Sequence, residues 1–353
     1  MKLLTRPIKV LVVDDSAFMR HTIARRLEPD PDIKVVGTAY DGLDALQKVR
    51  DLMPDVVILD VVMPRMDGLT ALQHIMAELP RPVIMLSSLT TREARTTIQA
   101  LIRGAIDVVA KPESSTQITA VIDELIEKVK AAAGARLAAP RPLRPILVER
   151  RLHAHPQPFH EGSTVIIVGA STGGPPALQQ LLSELPASLP AAIVVVQHMP
   201  AGFTSSLAQR LNEVSEIAVQ EASDGDRLAR GLVLVAPGDF HLRFKGDRQV
   251  VLDQGPRRNH VRPAVDVTME SAAEVHGSST IGVILTGMGS DGVMGARRIK
   301  AAGGSIIVEH ESTCVVYGMP RSVVEAGVAD RVVPLHGIAA ALRELVAHGT
   351  VGI

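Results

Sequence analysis

Residues 164–181 read TVIIVGASTGGPPALQQL. A β-branched apolar run empties into a glycine-rich turn that carries Ser171, and Pro175 then opens a helix pattern. Strand, tight turn and proline-led helix in that order is the repeating unit of a parallel α/β sheet. A core strand needs no hydroxyl at its exit. Ser171 or Thr172 caps the next helix, or the turn cradles a phosphate, or the serine is a nucleophile held on show.

The same alternation continues outward from this stretch. Strand patterns recur at 191–198 (AAIVVVQH), 231–236 (GLVLVA), 279–287 (STIGVILTG) and 304–310 (GSIIVEH). A hairpin pattern, FHLRF and RQVVLD around Lys245-Gly246-Asp247, interrupts them. Residues 162–353 are therefore expected to form a doubly wound, mostly parallel α/β domain. Upstream, five prolines and many arginines fall between Leu137 and His160, without a sustained apolar period. Repeated X-Pro steps keep such backbone extended, so 131–161 reads as a Pro/Arg/Ala-rich linker. Residues 1–130 then form a domain of their own.

Composition narrows the function classes. Across 353 residues, 37 Lys+Arg face 38 Asp+Glu, a formal net charge of −1, which offers no electrostatic footprint for nucleic acid. No apolar run approaches the ~20 residues of a membrane span, and the start MKLLTRPIKV lacks a signal-peptide core, so no membrane insertion is expected. Cys314 is the single cysteine, which excludes an internal disulfide and fits a reducing, cytoplasmic setting. Without tryptophan, and with 2% aromatic residues, the cores must be aliphatic.

The first half alternates in the same way, with strand patterns at 8–15, 33–40, 55–60, 82–88 and 106–111. Ile118, Val121, Ile122, Leu125, Ile126 and Val129 form one apolar stripe at helical spacing. A five-stranded parallel sheet covered on both faces is expected. Asp14 and Asp15 end its first strand, Asp60 the third, Ser87 the fourth and Lys111 the fifth. C-terminal strand ends share one rim, so three mutually repelling carboxylates meet there, and an oxygen-loving divalent cation, Mg²⁺, answers that repulsion. Singly, each aspartate reads as a helix cap; together they place an acid to accept a phosphoryl group.

VDDS at 13–16, DVVMPRMDG at 60–68, Ser87-Ser88 and KP at 111–112 resemble the receiver domain of two-component response regulators. The resemblance implies a flavodoxin-like (βα)5 fold, Asp60 as phosphoacceptor, Asp14, Asp15 and Asp60 at the Mg²⁺ site, and Ser87 and Lys111 as phosphate sensors. It departs at Val108, where many receivers carry an aromatic residue three positions before the lysine. A switch built on rotation of that ring is not expected.

In the second half, Ser171, His198 and Asp291 each follow a strand pattern. On one rim they supply a nucleophile, a base suited to neutral pH, and a carboxylate to orient it. Each has a plain alternative: a helix cap for Ser171 or Asp291, a hydrogen-bonded strand-end histidine for His198. A rival signal overlaps them. Gly287-Met-Gly289-Ser-Asp-Gly292 fits G-x-G-x-x-G and Glu309 stands where a ribose-binding acid is expected, which would make this a dinucleotide-binding oxidoreductase. A non-catalytic, partner-binding output module is the other alternative. Cys314 is a tempting second nucleophile, yet reads as a buried structural thiol.

GASTGGPPAL (169–178), VVVQHMP (194–200), LTGMGSDG (285–292) and YGMPRS (317–322) closely resemble the CheB family of chemotaxis protein-glutamate methylesterases. The resemblance implies an α/β hydrolase-type domain with Ser171, His198 and Asp291 as catalytic residues and backbone amides at Thr172 and Met288 for the oxyanion. It implies hydrolysis of glutamyl methyl esters on methyl-accepting chemotaxis receptors, deamidation of receptor glutamines, and no cofactor for the hydrolase. A chemotaxis histidine kinase is the implied phosphodonor, with the unphosphorylated receiver blocking the catalytic rim.

Overall fold

The computed structural model describes residues 6–112, 114–137, 156–246 and 248–349. Most of the expected linker, 138–155, lies outside the described residues. The chain divides into two compact units, Met1–Pro142 and Leu143–Ile353.

In the first unit β1 (Ile8–Val13), α1 (Ala17–Leu27), β2 (Ile33–Ala39), α2 (Gly42–Leu52), β3 (Val56–Asp60), α3 (Gly68–Glu78), β4 (Val83–Ser87), α4 (Thr91–Ile102), β5 (Asp107–Ala110) and α5 (Ile118–Ala133) alternate. The sheet order is β2-β1-β3-β4-β5, parallel throughout. That order reverses direction between β1 and β3, which opens a crevice beyond their C-terminal ends. Side chains close the helix starts as their chemistry allows: Ser16, Asp41, Asp67 and Thr90 accept N–H groups at the heads of α1 to α4. The α5 stripe buries Ile122, Leu125 and Val129.

The second unit runs β6 (Gln157–Pro158), β7 (Thr164–Ala170), α6 (Gly174–Ser183), β8 (Ala191–Gln197), α7 (Phe203–Val214), β9 (Ala218–Glu221), β10 (Ala229–Arg230), β11 (Leu232–Val235), β12 (His241–Lys245) and β13 (Gln249–Asp253). It continues with α8 (Val265–His276), β14 (Thr280–Ile284), α9 (Val293–Ala301), β15 (Ser305–Glu309), α10 (Met319–Glu325), β16 (Arg331–Val333) and α11 (Leu335–Gly349). Seven strands form one parallel sheet, β16-β15-β14-β7-β8-β11-β9. The predicted hairpin is a separate antiparallel pair, β12 with β13. Central β8 and β14 are buried along their whole length, as expected of strands covered on both faces. From β7 the chain builds outward on the β8 side, then crosses to β14, so the direction changes between β7 and β14.

Helix starts differ between the units in a way that prepares the site. Glycines at φ 77°, 85° and 101° (Gly173, Gly202 and Gly292) begin α6, α7 and α9, and no side chain of their own caps them. Glycine takes this left-handed backbone without steric cost, and at the head of α9 the Gly292 and Gly295 N–H groups are met by the Asp266 carboxylate from α8.

Candidate active site and phosphorylation site

Ser171 and His198 leave neighbouring strands at the same level. The β7–β8 register pairs Ala170 with Gln197, and the His198 N–H donates to the Ala170 carbonyl at 3.0 Å. Ser171 is tied by its backbone on both sides: its N–H donates to the Thr286 carbonyl (3.1 Å), and its carbonyl accepts from Gly174 N (2.8 Å) and Gln197 Nε2 (2.9 Å). The N-cap of α6 is Gly173, which has no side chain to cap with, so Ser171 does not hold the N-cap position that the sequence allowed.

His198 is 10% exposed and its Nε2 meets Asp291 Oδ2 at 2.8 Å. Nδ1 is therefore the ring nitrogen left for a second partner. Among the described residues no hydrogen bond links it to Ser171 Oγ, a contact that commonly tightens only when substrate arrives. Towards the helix that follows it Asp291 accepts only the Gly292 N–H, on Oδ1 at 3.1 Å, and its other backbone donors belong to a different helix. Its Oδ2 accepts from Val265 N (2.6 Å) and its Oδ1 from Asp266 N (3.0 Å), the head of α8. Burial disfavours the ionised acid, yet His198 and these N–H groups outweigh it and hold Asp291 below the ordinary aspartate range. Asp266 is pushed the other way, by burial first and by the Asp291 charge.

Gly287 brings the next loop against the serine. A Cβ at that position would stand 2.7 Å from Ser171 Cβ and 2.6 Å from Met319 Sδ. Met288 follows it half-buried, and Thr172 is buried with its carbonyl taken by Thr286 Oγ1 at 3.0 Å.

In the first unit Asp14 and Asp60 are buried and Asp15 is exposed, with one carboxylate oxygen from each within 4.8 Å of the others. Lys111 Nζ reaches Asp14 Oδ2 at 2.9 Å and Asp60 Oδ2 at 2.7 Å. Burial pushes Asp60 up to about 6 despite the lysine. An all-oxygen donor set with carboxylates in excess of the lysine's charge suits Mg²⁺. Ser87 Oγ points elsewhere: it donates to the Ser88 carbonyl (3.2 Å) and accepts from Thr97 Oγ1 on α4 (2.8 Å).

The chain matches the family model described as CheB methylesterase over residues 166–342 and the response regulator receiver domain over residues 10–123. A protein-glutamate methylesterase/protein-glutamine glutaminase of Symbiobacterium thermophilum is 51% identical over 357 residues, covering 98% of each chain. One of Thermotoga maritima is 48% identical over 346 residues, covering 97% of this chain and 99% of the other. The chain belongs to the CheB methylesterase family. The crystal structure of the Thermotoga maritima CheB methylesterase catalytic domain matches with a TM-score of 0.51 at 50% identity, covering 52% of this chain and 98% of that one.

One rival reading of the sequence falls away in this CheB-family chain, and the reading of Cys314 holds. The dinucleotide reading required Glu309 to face a ribose, but Glu309 is fully buried and its Oε2 accepts from Thr286 N at 2.8 Å. Cys314 is the buried thiol expected from the sequence, with Sγ 3.8 Å from the Glu309 carbonyl. Asn259, Asp266 and Thr286 escaped the sequence reading. Asn259, in PRRNHVRP, donates from Nδ2 to Asp266 Oδ2 (3.1 Å) and Asp291 Oδ1 (3.0 Å). Only its left-handed backbone, at φ 52° beside His260 at 65°, marks it, and asparagine in a polar loop carries no pattern that announces that.

Proposed function

We propose that the chain hydrolyses glutamyl γ-methyl esters, and deamidates glutamines, on methyl-accepting chemotaxis receptors, through an acyl-enzyme on Ser171. The observation that carries this reading is the His198–Asp291 hydrogen bond at 2.8 Å, at the exit of the strand next to that of Ser171. His198 Nδ1 takes the serine proton as Oγ attacks the side-chain carbonyl carbon, and Asp291 holds the ring and steadies the imidazolium. Backbone N–H groups at Thr172 and Met288 would face the oxyanion, an effect worth about 3 kcal/mol per donor in other hydrolases. The imidazolium returns its proton to the departing methoxide, or to the amine leaving group of a glutamine. Water deprotonated by the same imidazole then releases glutamate and frees Ser171.

Asp60 is the proposed phosphoacceptor, its carboxylate attacking the phosphorus of a chemotaxis kinase's phosphohistidine in the cytoplasm. Asp14, Asp15 and Asp60 would hold Mg²⁺, which when bound neutralises phosphoryl oxygens. Lys111 and Ser87 would then meet those oxygens, Lys111 releasing its ion pair with Asp60. The receiver, unphosphorylated, would inhibit the hydrolase, and phosphorylation would relieve it.

Methanol release from methyl-esterified receptors, with and without a small-molecule phosphodonor, tests this reading. Ser171→Ala should abolish release while leaving Asp60 phosphorylation intact, and Asp60→Asn should abolish only the response to phosphodonor. Retention of most activity in Ser171→Ala overturns the nucleophile assignment. A chain lacking residues 1–130 should be faster than the unphosphorylated full chain, and equal rates would refute inhibition by the receiver.

A further inference from the structure

Glu309 is a buried acid that the hydrolytic cycle does not use, and it ends β15 two strands away from the serine. Between them, at the exit of β14, stands Thr286, 1% exposed. Hydrogen bonds to four residues converge on this threonine. Its N–H donates to Glu309 Oε2 (2.8 Å), and its carbonyl accepts the Ser171 N–H (3.1 Å). Its hydroxyl donates to the Thr172 carbonyl (3.0 Å), with the Val316 carbonyl a longer second acceptor (3.3 Å), and accepts from Val316 N (3.0 Å). Every polar atom of Thr286 is thus engaged, and two of its four partners, Ser171 and Thr172, belong to the nucleophile turn.

The geometry points to Thr286 and Glu309 as positioning residues for Ser171: Glu309 anchors the Thr286 backbone, and Thr286 holds the Ser171–Thr172 turn from outside. The inference rests on the assignment of Ser171 as the nucleophile. Its physical content is rigidity. The turn begins at Ser171 and reaches the left-handed Gly173, a backbone free to take other conformations. Bonds inside the turn, such as Gly174 N to the Ser171 carbonyl, close it upon itself but do not fix it to the sheet. The links to Thr286 and to Gln197 do, one on each flank. A hydroxyl is required because one group must both donate and accept, and valine offers the shape of threonine with neither capability.

The anchoring role of Glu309 needs only an oxygen that accepts, whether or not the acid is ionised. Its Oε1 is buried with no hydrogen bond of good geometry, although the Thr313 hydroxyl and the Cys314 thiol lie beside the carboxyl and partly offset the cost of charge there. Burial pushes its acid above the ordinary range, against the opposing Thr286 N–H. A neutral acid still accepts that N–H through its carbonyl oxygen, as a glutamine would. Glutamine should therefore do the anchoring and alanine should not.

The test uses the full chain activated with a phosphodonor, with methanol release from a methyl-esterified receptor fragment as the readout. Thr286→Val and Glu309→Ala should each lower kcat by about 10- to 100-fold, the scale of a slightly misplaced nucleophile, with KM changed by less than about threefold. Thr286→Ser and Glu309→Gln should recover most of the loss. Rates are read well below each variant's melting temperature, so that reduced stability alone leaves kcat where it was. Lower melting temperatures with kcat near that of the unsubstituted chain would make the pair structural and overturn the inference. If Glu309→Ala does not fold, the contrast between Thr286→Val and Thr286→Ser decides, and equal kcat in those two overturns it. Ser171→Ala run alongside separates the two ideas: activity surviving there refutes the nucleophile, whereas loss there with full activity in Thr286→Val refutes only the positioning.

Discussion

Asp266 and Asp291 cap each other's helices. Asp291 takes the leading N–H groups of α8, on which Asp266 sits, while Asp266 Oδ1 takes Gly292 N (2.9 Å) and Gly295 N (2.7 Å) at the head of α9, just after Asp291. The carboxylate that orients His198 is thereby fixed by two helix N-termini, whose partial positive charge favours its ionised form.

Replacing Asp291 by Asn tests that arrangement. Both oxygens of Asp291 accept N–H groups, so a carboxamide must turn its NH₂ onto another donor whichever way it is placed. A buried donor left facing a donor costs about 1–3 kcal/mol. The imidazole also loses the acceptor that fixes its tautomer, a change worth about 10⁴ in kcat in a serine protease. Urea unfolding should show the first loss and methanol release a drop of at least about 10³-fold. A variant within tenfold of the parent would remove Asp291 from the machinery.

Asn259→Ala addresses ionisation. Asn259 is exposed, so little packing is lost, but its Nδ2 lies between the two acids and favours their charged forms. His198, Asp266 and Arg258 are the titratable groups around Asp291, and Arg258 is already paired with Glu270 at 2.6 Å. Without the amide, the like charge of Asp266 is less compensated and Asp291 should titrate at higher pH. Asp291 sits below its ordinary value in the folded chain. Its stabilisation is therefore present above that ordinary value and disappears as pH falls through the folded value. In Asn259→Ala the acid limbs of both kcat and stability should move upward in pH. Superimposable profiles would show that the amide does not tune the acid.

The fold was legible because the central strands are unbroken apolar runs and their exits carry the chemistry. Of the strands in the catalytic unit's main sheet, β9 and β16 were missed. Both lie at the edges, with part of each strand open to solvent, and neither shows a run that separates strand from loop. In the same way, the triad candidates were visible since Ser171, His198 and Asp291 each follow such a run. Asn259, Asp266 and Thr286 were not, because their roles depend on which N–H group lies opposite, a relation between distant segments. Glu309 was noticed for the wrong reason: spacing placed it at a strand end, but only burial distinguishes an acid turned inward from one offered to a ribose.

The receiver's output should run through a hydroxyl pair. Val108, where many receivers have an aromatic ring, is 1% exposed in β5 and has no polar tip to swing toward a phosphoryl group. Thr97 Oγ1 on α4 instead donates to Ser87 Oγ at 2.8 Å in the interior. If Ser87 turns to meet a phosphoryl oxygen, that bond must rearrange and α4 senses it. Thr97→Val keeps the shape and removes the donor, at a cost of about 1 kcal/mol to receiver stability. Asp60 should still be phosphorylated, at a rate within about threefold of the parent, since Thr97 touches neither acid, while the gain in methanol release on phosphorylation should shrink. Full activation in this variant would exclude the Thr97 path.

Gly287→Ala gives the most local probe of the serine's surroundings. The added methyl would meet Ser171 Cβ at 2.7 Å, Ser171 N at 3.1 Å and Met319 Sδ at 2.6 Å. Met319 is fully buried and has little room to retreat, so relief must come from the Ser171 turn or from the Gly287 loop. Overpacking of this kind costs about 1–3 kcal/mol. Either movement separates the hydroxyl from His198 or the Met288 amide from the oxyanion position. The expected result is a modest fall in melting temperature with a drop of about 10²-fold in kcat, the larger effect being on rate because alignment is lost before the fold is. Asp60 phosphorylation, which draws only on the first unit, should be unchanged. If kcat stays at the parent's value while stability falls, the turn tolerates displacement and the close approach of Gly287 serves packing alone.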